Sequence, residues 1–411
     1  MLLMAVVGGL ALTDRMVAGE EWPAWRGPRG DGSSRESGIP IDWDGPTGRN
    51  IQWKTAIPGS GHASPIVWGN RIFTVSCRED REERILLALD RRSGEILWER
   101  IVVEAPLERK HLLNSYASST PATDGELVYA SFLDRDQMLV AAYDFEGRQR
   151  WLVRPGVFSS VHGYCSPPTL FENLVIVNGD HDGDAYLVAL DRADGHTVWK
   201  TQRENKTRSY CPPIIREFDG RTQMILSGSR CVASYDPRDG SRHWIIDGPT
   251  EQYVASLVDN GKLLFMTAGF PEHHILAIRP DGRGNVTDTH VVWRTTKGCS
   301  YVPSPIASPD GKYFLVVSDT GTASLFDADT GERHWMKRIG SHFSASAVSA
   351  DGLVHFLADD GVTTIIRPGV EFEVVAENEL GEECYASPAI SRGQIFVRGE
   401  QHLYAIGTAA E

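Results

Sequence analysis

Three aspartates alternate in the run NGDHDGDAY: Asp180, Asp182 and Asp184, with Gly183 allowing a tight bend. Alternating carboxylates on a short loop can wrap a hard cation in oxygen, and the run matches the opening of a calcium-binding loop. The closing bidentate glutamate of an EF-hand is missing, because Arg192 stands twelve residues from Asp180. A Ca²⁺ ion held here would draw its remaining oxygens from elsewhere in the chain; the alternative is an ordinary Asp/Gly turn.

A second set of reactive groups is sulfur. Cys165 and Cys211 stand at the same place in two similar runs, GYCSPPT and SYCPPII. Neighbouring strands could bring their Cα atoms within the roughly 4.4–6.8 Å that a disulfide spans, a bond that an exported protein would keep. Two buried thiols are the alternative. The six cysteines form no CxxC pair, and the chain has no GxSxG elbow, so zinc-ribbon and hydrolase readings lack their motifs.

The third set is a series of rings. The runs GHASPIV, SYASSTP, GYCSPPT, SYCPPII, QYVASLV, SYVPSPI, HFSASAV and CYASPAI each open on an aromatic or His: His62, Tyr116, Tyr164, Tyr210, Tyr253, Tyr301, Phe343 and Tyr385. Two small residues or a proline follow, then an apolar stretch. Rings gathered at one mouth would wall a funnel for a flat or sugar-like ligand, with hydroxyls at their tips. Alternatively each ring packs under its own preceding loop. Polar residues that do not repeat lie beside these anchors and complete the candidate site: His111, Asn114, His162, Arg208 and His342. The loop at 102–114 is the longest of its kind, and long loops on rigid scaffolds often hold function.

The elements that must position these groups are themselves repeated. ALDRRSGEILW, AYDFEGRQRW, ALDRADGHTVW, SYDPRDGSRHW and LFDADTGERHW each contain an apolar run, Asp, a turn, Gly and then Trp four residues later. Glycine suits a turn position with positive φ, and Asp opens such a turn by bonding its own backbone. Each copy therefore reads strand, tight turn, strand. Further strands such as NRIFTVS and NLVIVNG fall between the two markers, giving strands A, B, C and D per unit. The anchors recur about every 46 residues, the length of a four-stranded propeller blade.

Eight copies predict an all-β fold, an eight-bladed β-propeller of four-stranded antiparallel blades. The last copy ends at HLYAIG (402–407) without a strand D, and NIQWKTAIPG (50–59) is a strand D without a blade. The N-terminal strand, residues 50–56, is therefore expected to pair with the last blade and close the ring, covering both edges. Trp53, Trp98, Trp151, Trp199, Trp244, Trp293 and Trp335 are read as structural, packing between blades. Blades 5 and 7 should be the least regular: blade 5 has the longer RPDGRGNVTDTHVVW, and blade 7 has no Trp in RPGVEFEVV.

The Ala-x-Asp-x-x-x-Gly-x-x-x-Trp motif resembles the tryptophan-docking repeat of pyrroloquinoline-quinone (PQQ) propellers, over roughly residues 22–407. That group includes quinoprotein alcohol dehydrogenases and an outer-membrane assembly scaffold. The opening WPAWRGPRGDGSS (22–34) is similar to the N-terminus of exported PQQ-repeat proteins of planctomycete-type bacteria. For the dehydrogenases the resemblance implies PQQ with Ca²⁺, a disulfide between adjacent cysteines, and long inserted loops; this chain has neither of the last two. The fold hosts enzymes and scaffolds alike.

Composition narrows the partners. A net charge of −14 argues against nucleic acid and anionic membranes, both of which require a basic face. Met1–Gly19 has an apolar run too short to span a membrane and suits a leader peptide, with Val17 and Gly19 small enough to precede a cleavage site. The expected organisation is a leader at 1–19, an extended segment at 20–49, one propeller at 50–408 and a tail at 409–411. The expected product is a monomer, periplasmic or secreted, with no membrane span. Its leading function is to bind a protein or a small, carbohydrate-like ligand at the mouth; a PQQ/Ca-dependent dehydrogenase of alcohols or sugars is the alternative.

Overall fold

The computed structural model describes residues 19–407. The expected leader lies outside these residues apart from Gly19, as does the tail. Eight sheets are present, four-stranded and antiparallel except for one parallel addition. In blade 1 the strands are Ile66–Trp68, Arg71–Arg78, Glu83–Asp90 and Ile96–Glu104. Strands B and C are buried along almost their whole length, whereas strand D alternates. This follows from radial stacking: both faces of B and C are covered by neighbouring blades, while D forms the outer rim. Strand Ile51–Ala56 pairs antiparallel with His402–Ile406 and is the outer strand of blade 8.

The repeated Gly and Trp are partners across blades. Trp53, Trp98, Trp151, Trp199 and Trp293 donate their indole N–H to carbonyls of Arg91, Phe145, Arg192, Pro237 and Ala328, all in the next blade's C–D turn, at 2.8–3.0 Å. The turn glycine lies flat against that same indole. A Cβ on Gly195, whose φ is +78°, would come within 2.7 Å of the Trp151 ring. The motif therefore encodes an inter-blade joint, and glycine serves it twice, by its φ and by its missing side chain.

Of the two blades expected to be least regular, blade 5 departs from the pattern, whereas blade 7 is an ordinary four-stranded antiparallel sheet that lacks only the tryptophan. Blade 5 lacks the docking glycine, and Trp244 instead donates to Gln223 Oε1 of its own blade at 2.8 Å. The long turn of blade 5 sends Gly284–Asn285 to pair in parallel with the outer strand of blade 4 as a fifth strand. Blade 7 faces a blade whose outer strand comes from the N-terminus, so no C–D hairpin exists there for a tryptophan to dock on. Trp43, from the N-terminal segment, lies buried there and stacks on His355 at 6.5 Å and 3°.

Residues 20–38 run across the propeller on the face opposite the aromatic anchors, and residues 43–45 continue along the outer strand of blade 7. Strands A begin near the anchors, and the segment bonds to their far ends. Trp22 exchanges backbone hydrogen bonds with Val67 (2.9 and 2.8 Å), Thr123 N–H donates to Pro23 O (2.8 Å), and Ser34 N–H donates to Ser349 O (2.7 Å). Glu36, buried, accepts from the backbone N–H of Arg392 and Gly393 at 2.6 and 2.5 Å. Arg26, also buried, donates to Pro305 O at 2.7 Å and Ser304 O at 3.3 Å.

Candidate functional site at the channel mouth

The small residues after each anchor tie the innermost strands together. Ser256 N–H donates to Ser304 Oγ, Ser304 N–H to Ser346 Oγ, and Ser346 N–H to Ser387 Oγ, at 2.8–2.9 Å. Ser64 N–H donates likewise to Thr120 Oγ1 at 3.1 Å. Side chains this short bridge adjacent strands without filling the axis.

Above this belt lies a cavity of about 420 Å³, mostly apolar in its lining. His62, Tyr210, Tyr301 and Tyr385 reach it from the anchor positions, and His111, Asn114, His162 and His342 from the loops. Several of these rings touch. His62 lies 4.6 Å from Tyr385, His111 5.6 Å from His162, and His162 6.2 Å from Tyr210. Burial pushes the Tyr301 and Tyr385 phenols up to about 12 and holds His162 below the usual imidazole range, with Arg208 adding to the effect.

Eight converging rings are not what the structure contains. Tyr164, Tyr253 and Phe343 are buried, and Tyr116 is half-buried outside the cavity lining. Tyr164 packs edge-on against Phe158 of its own loop at 5.0 Å. Tyr253 donates its hydroxyl to Gly248 O at 2.7 Å, and Tyr116 lies under the Lys110 ammonium at 4.9 Å. These three rings are held by partners on their own loops, although an own-loop partner does not exclude a ring from the cavity: Tyr385 lines it while donating to Glu383 Oε2 at 3.0 Å. Arg208 is also absent from the lining; it pairs with Asp182 at 2.7 Å.

That pairing bears on the expected calcium loop. Asp180 is buried against Arg203 (2.9 Å), Asp182 meets Arg208, and Asp184 meets Lys206 at 2.5 Å. Three carboxylates with three separate cations do not form a common coordination sphere, so the calcium expectation is corrected here. Among the described residues the one acidic cluster with metal-like spacing is Asp191, Asp194 and His196, on an outer turn. The disulfide expectation is corrected as well: Cys165 and Cys211 are free thiols, and Cys211 S–H donates to Ala255 O at 3.1 Å. Burial raises both thiols to about 12.

Two groups that the sequence reading left out complete the cavity. Trp25 lines it, with its indole N–H donating to Ser256 Oγ at 3.0 Å. Trp25 belongs to the segment crossing the opposite face, so the cavity lining draws on that segment as well as on the mouth loops. Asp319 is the acidic member of the lining, accepting from the backbone N–H of Tyr301 and Val302 at 2.9 Å each. A signal for it exists in the sequence: Asp180, Asp319, Asp359 and Glu400 all stand in B–C turns. No signal marks Trp25 beyond its place in WPAW.

A family model described as outer membrane protein assembly factor BamB matches residues 35–136, 81–283 and 283–367. The outer membrane protein assembly factor BamB of Alkalilimnicola ehrlichii is 28% identical over 156 residues, which are 38% of this chain and 36% of that protein. The chain thus matches about a third of the length of that curated relative. BamB from Moraxella catarrhalis superposes with a TM-score of 0.62 at 12% identity, over 87% of this chain and 99% of the other. The quinohemoprotein alcohol dehydrogenase from Comamonas testosteroni does so with a TM-score of 0.66 at 13% identity, over 95% and 81%. Identity at that level establishes the fold alone. Among the described residues no helix is long and apolar enough to cross a membrane.

Proposed function

As the chain belongs to the PQQ-type propeller family whose model is described as outer membrane protein assembly factor BamB, we propose that it is a non-catalytic binding module that holds a ligand or partner protein at the channel mouth. One observation supports this above the others: the mouth holds a ring-walled cavity of about 420 Å³, with the chain's own Trp25 in its lining. Beside the cavity, Leu112 is 93% exposed and Leu113 55% exposed on the longest loop, an apolar rim of the kind that partners cover. Export to the periplasm or beyond is part of the same proposal.

The dehydrogenase alternative fits the residues less well. PQQ is a polycarboxylate that works beside a divalent cation. The cavity lining contains no lysine or arginine to receive its carboxylates, and the alternating aspartates are paired with side-chain cations. The residues present therefore do not fit the cofactor.

The test is titration of the purified protein with PQQ and Ca²⁺, following the cofactor absorbance, then dye reduction with a panel of alcohols and aldoses. The expected result is no saturable change and no turnover; saturable binding with turnover would replace the binding-module reading with the dehydrogenase. For the partner, photo-crosslinkers at Leu112 and at Val198 on an outer strand are compared in producing cells. Adducts confined to Leu112 are expected, and adducts confined to Val198 would place the interface on the rim.

A further inference from the structure

We propose that the channel-mouth cavity binds an organic cation, an alkylammonium or guanidinium group. This rests on the mouth being a binding site and adds the chemistry of what binds. Tyr210, Tyr301, Tyr385 and Trp25 line it, and the faces of such rings attract cations, tryptophan most strongly. The one acidic or basic residue of the lining other than histidine is Asp319. Two more carboxylates stand behind histidines of the lining. Asp359 bonds to His342 Nδ1 at 2.5 Å, and Glu400 lies 3.5 Å from His62 Nε2.

Two neighbouring cations are engaged elsewhere, and Arg398, buried beside Glu400, offsets part of that carboxylate's charge. Arg208 pairs with Asp182, and Lys110 lies over the Tyr116 ring. His162, held low by burial and by Arg208, adds no positive charge at neutral pH.

Donors that could receive an anion are also in use. Trp25 N–H donates to Ser256 Oγ, Tyr301 O–H to Gln252 Oε1 at 2.7 Å, and Tyr385 O–H to Glu383 Oε2 at 3.0 Å. An entering anion would meet π-faces and a carboxylate; an entering cation meets the same groups as attraction. A free quaternary ammonium and a lysine or arginine side chain of a partner protein share this chemistry.

The experiment compares four soluble probes by calorimetry on the folded protein: choline, its neutral isostere 3,3-dimethylbutan-1-ol, the anion 3,3-dimethylbutanoate, and Nα-acetyl-lysine amide. A cation is expected to bind saturably and about tenfold or more tighter than the neutral alcohol, with the anion weakest. Choline binding indicates a free ammonium ligand; binding of the lysine amide alone indicates a protein side chain, and either supports the inference. Trp25→Ala should weaken cation binding about tenfold. Asp319→Asn should weaken it too; if that variant fails to fold, added salt on the wild type should weaken the cation and leave the alcohol unchanged. Neutral or anionic probes binding as tightly as the cations would overturn the cation inference while leaving the mouth as a binding site. If none of the four binds, the cation inference falls, while the mouth as a binding site is judged separately by the crosslinks at Leu112.

Discussion

The two ends of the channel are built from the same eight innermost strands, yet one is sealed and the other is open. At the sealed end the partners are main chain and buried charge: Trp22 bridges to Val67, Arg26 caps the carbonyls of Ser304 and Pro305, and Glu36 accepts from Arg392 and Gly393. At the open end the partners are side chains from loops that differ blade by blade, and four of the eight anchor rings face the cavity. The difference teaches how a repeat protein acquires a site. Repetition makes a tube with two openings; a single non-repeating segment is strapped across one and lends Trp25 to the cavity at the other.

Breaking the sealed end should produce the largest effect. Trp22→Ala removes a fully buried indole at the first strand contact of the segment and should cost about 3–5 kcal/mol, read as a lowered urea midpoint. A loss below about 1 kcal/mol would show that the segment rests on the propeller without holding it.

Next comes pH. His355 is buried beneath Trp43, neither ring nitrogen has a partner, and burial lowers its pKa from 6.5 to about 4. The unfolded chain therefore takes up this proton more readily than the folded one. The stability it confers is complete above pH 6.5 and is lost as pH falls toward 4, by about 3 kcal/mol in all. His355→Leu should flatten this part of the profile, and an unchanged profile would reassign the acid sensitivity to other groups.

The blade joints should rank third. Gly195→Ala combines a positive φ with a Cβ directed into the Trp151 ring, and should cost about 1–2 kcal/mol in thermal or urea unfolding. A neutral result would mean that the indole shifts freely on the neighbouring turn. Smallest of all is Asp182→Ala on the open face. Its pair with Arg208 is partly exposed, so the cost should lie within about 1 kcal/mol. Neither EDTA nor Ca²⁺ should move the melting temperature of wild type or variant; a calcium-dependent rise lost in the variant would reinstate an ion at that loop.

Much of the frame was legible because it is written many times. Gly195 and Trp151 are informative as members of a set, since one fixed spacing recurring through the chain signals strands and turns before any contact is known. The orphan strand around Trp53 was legible by counting, as one blade lacked what the N-terminus had in surplus. The irregularity of blade 5 could be located by its missing glycine, whereas blade 7, expected to be irregular for want of a tryptophan, keeps a regular sheet; the parallel fifth strand and the seating of Trp43 depended on how far a loop and a strap could reach.

The candidate site was legible only in part. His62, His111, Asn114, His162, Tyr210, Tyr301, His342 and Tyr385 were expected at the mouth and line the cavity. Tyr116 and Tyr164 stand at equivalent positions and lie outside the lining, held locally by Lys110 and Phe158. Asp180, Asp182 and Asp184 look like ion ligands in one dimension, but Arg203, Arg208 and Lys206, some two dozen residues on, reach them first.

The sequence by itself determined the blade number, the four strands of each blade and the joint between blades, because these arise from short-range spacing that steric and hydrogen-bonding rules turn directly into local structure. Tertiary structure alone decided which rings face the channel, which charges neutralise one another and that Trp25 joins the cavity lining. Those outcomes are set by distances between residues far apart in the chain, and such distances exist only once the ring has closed.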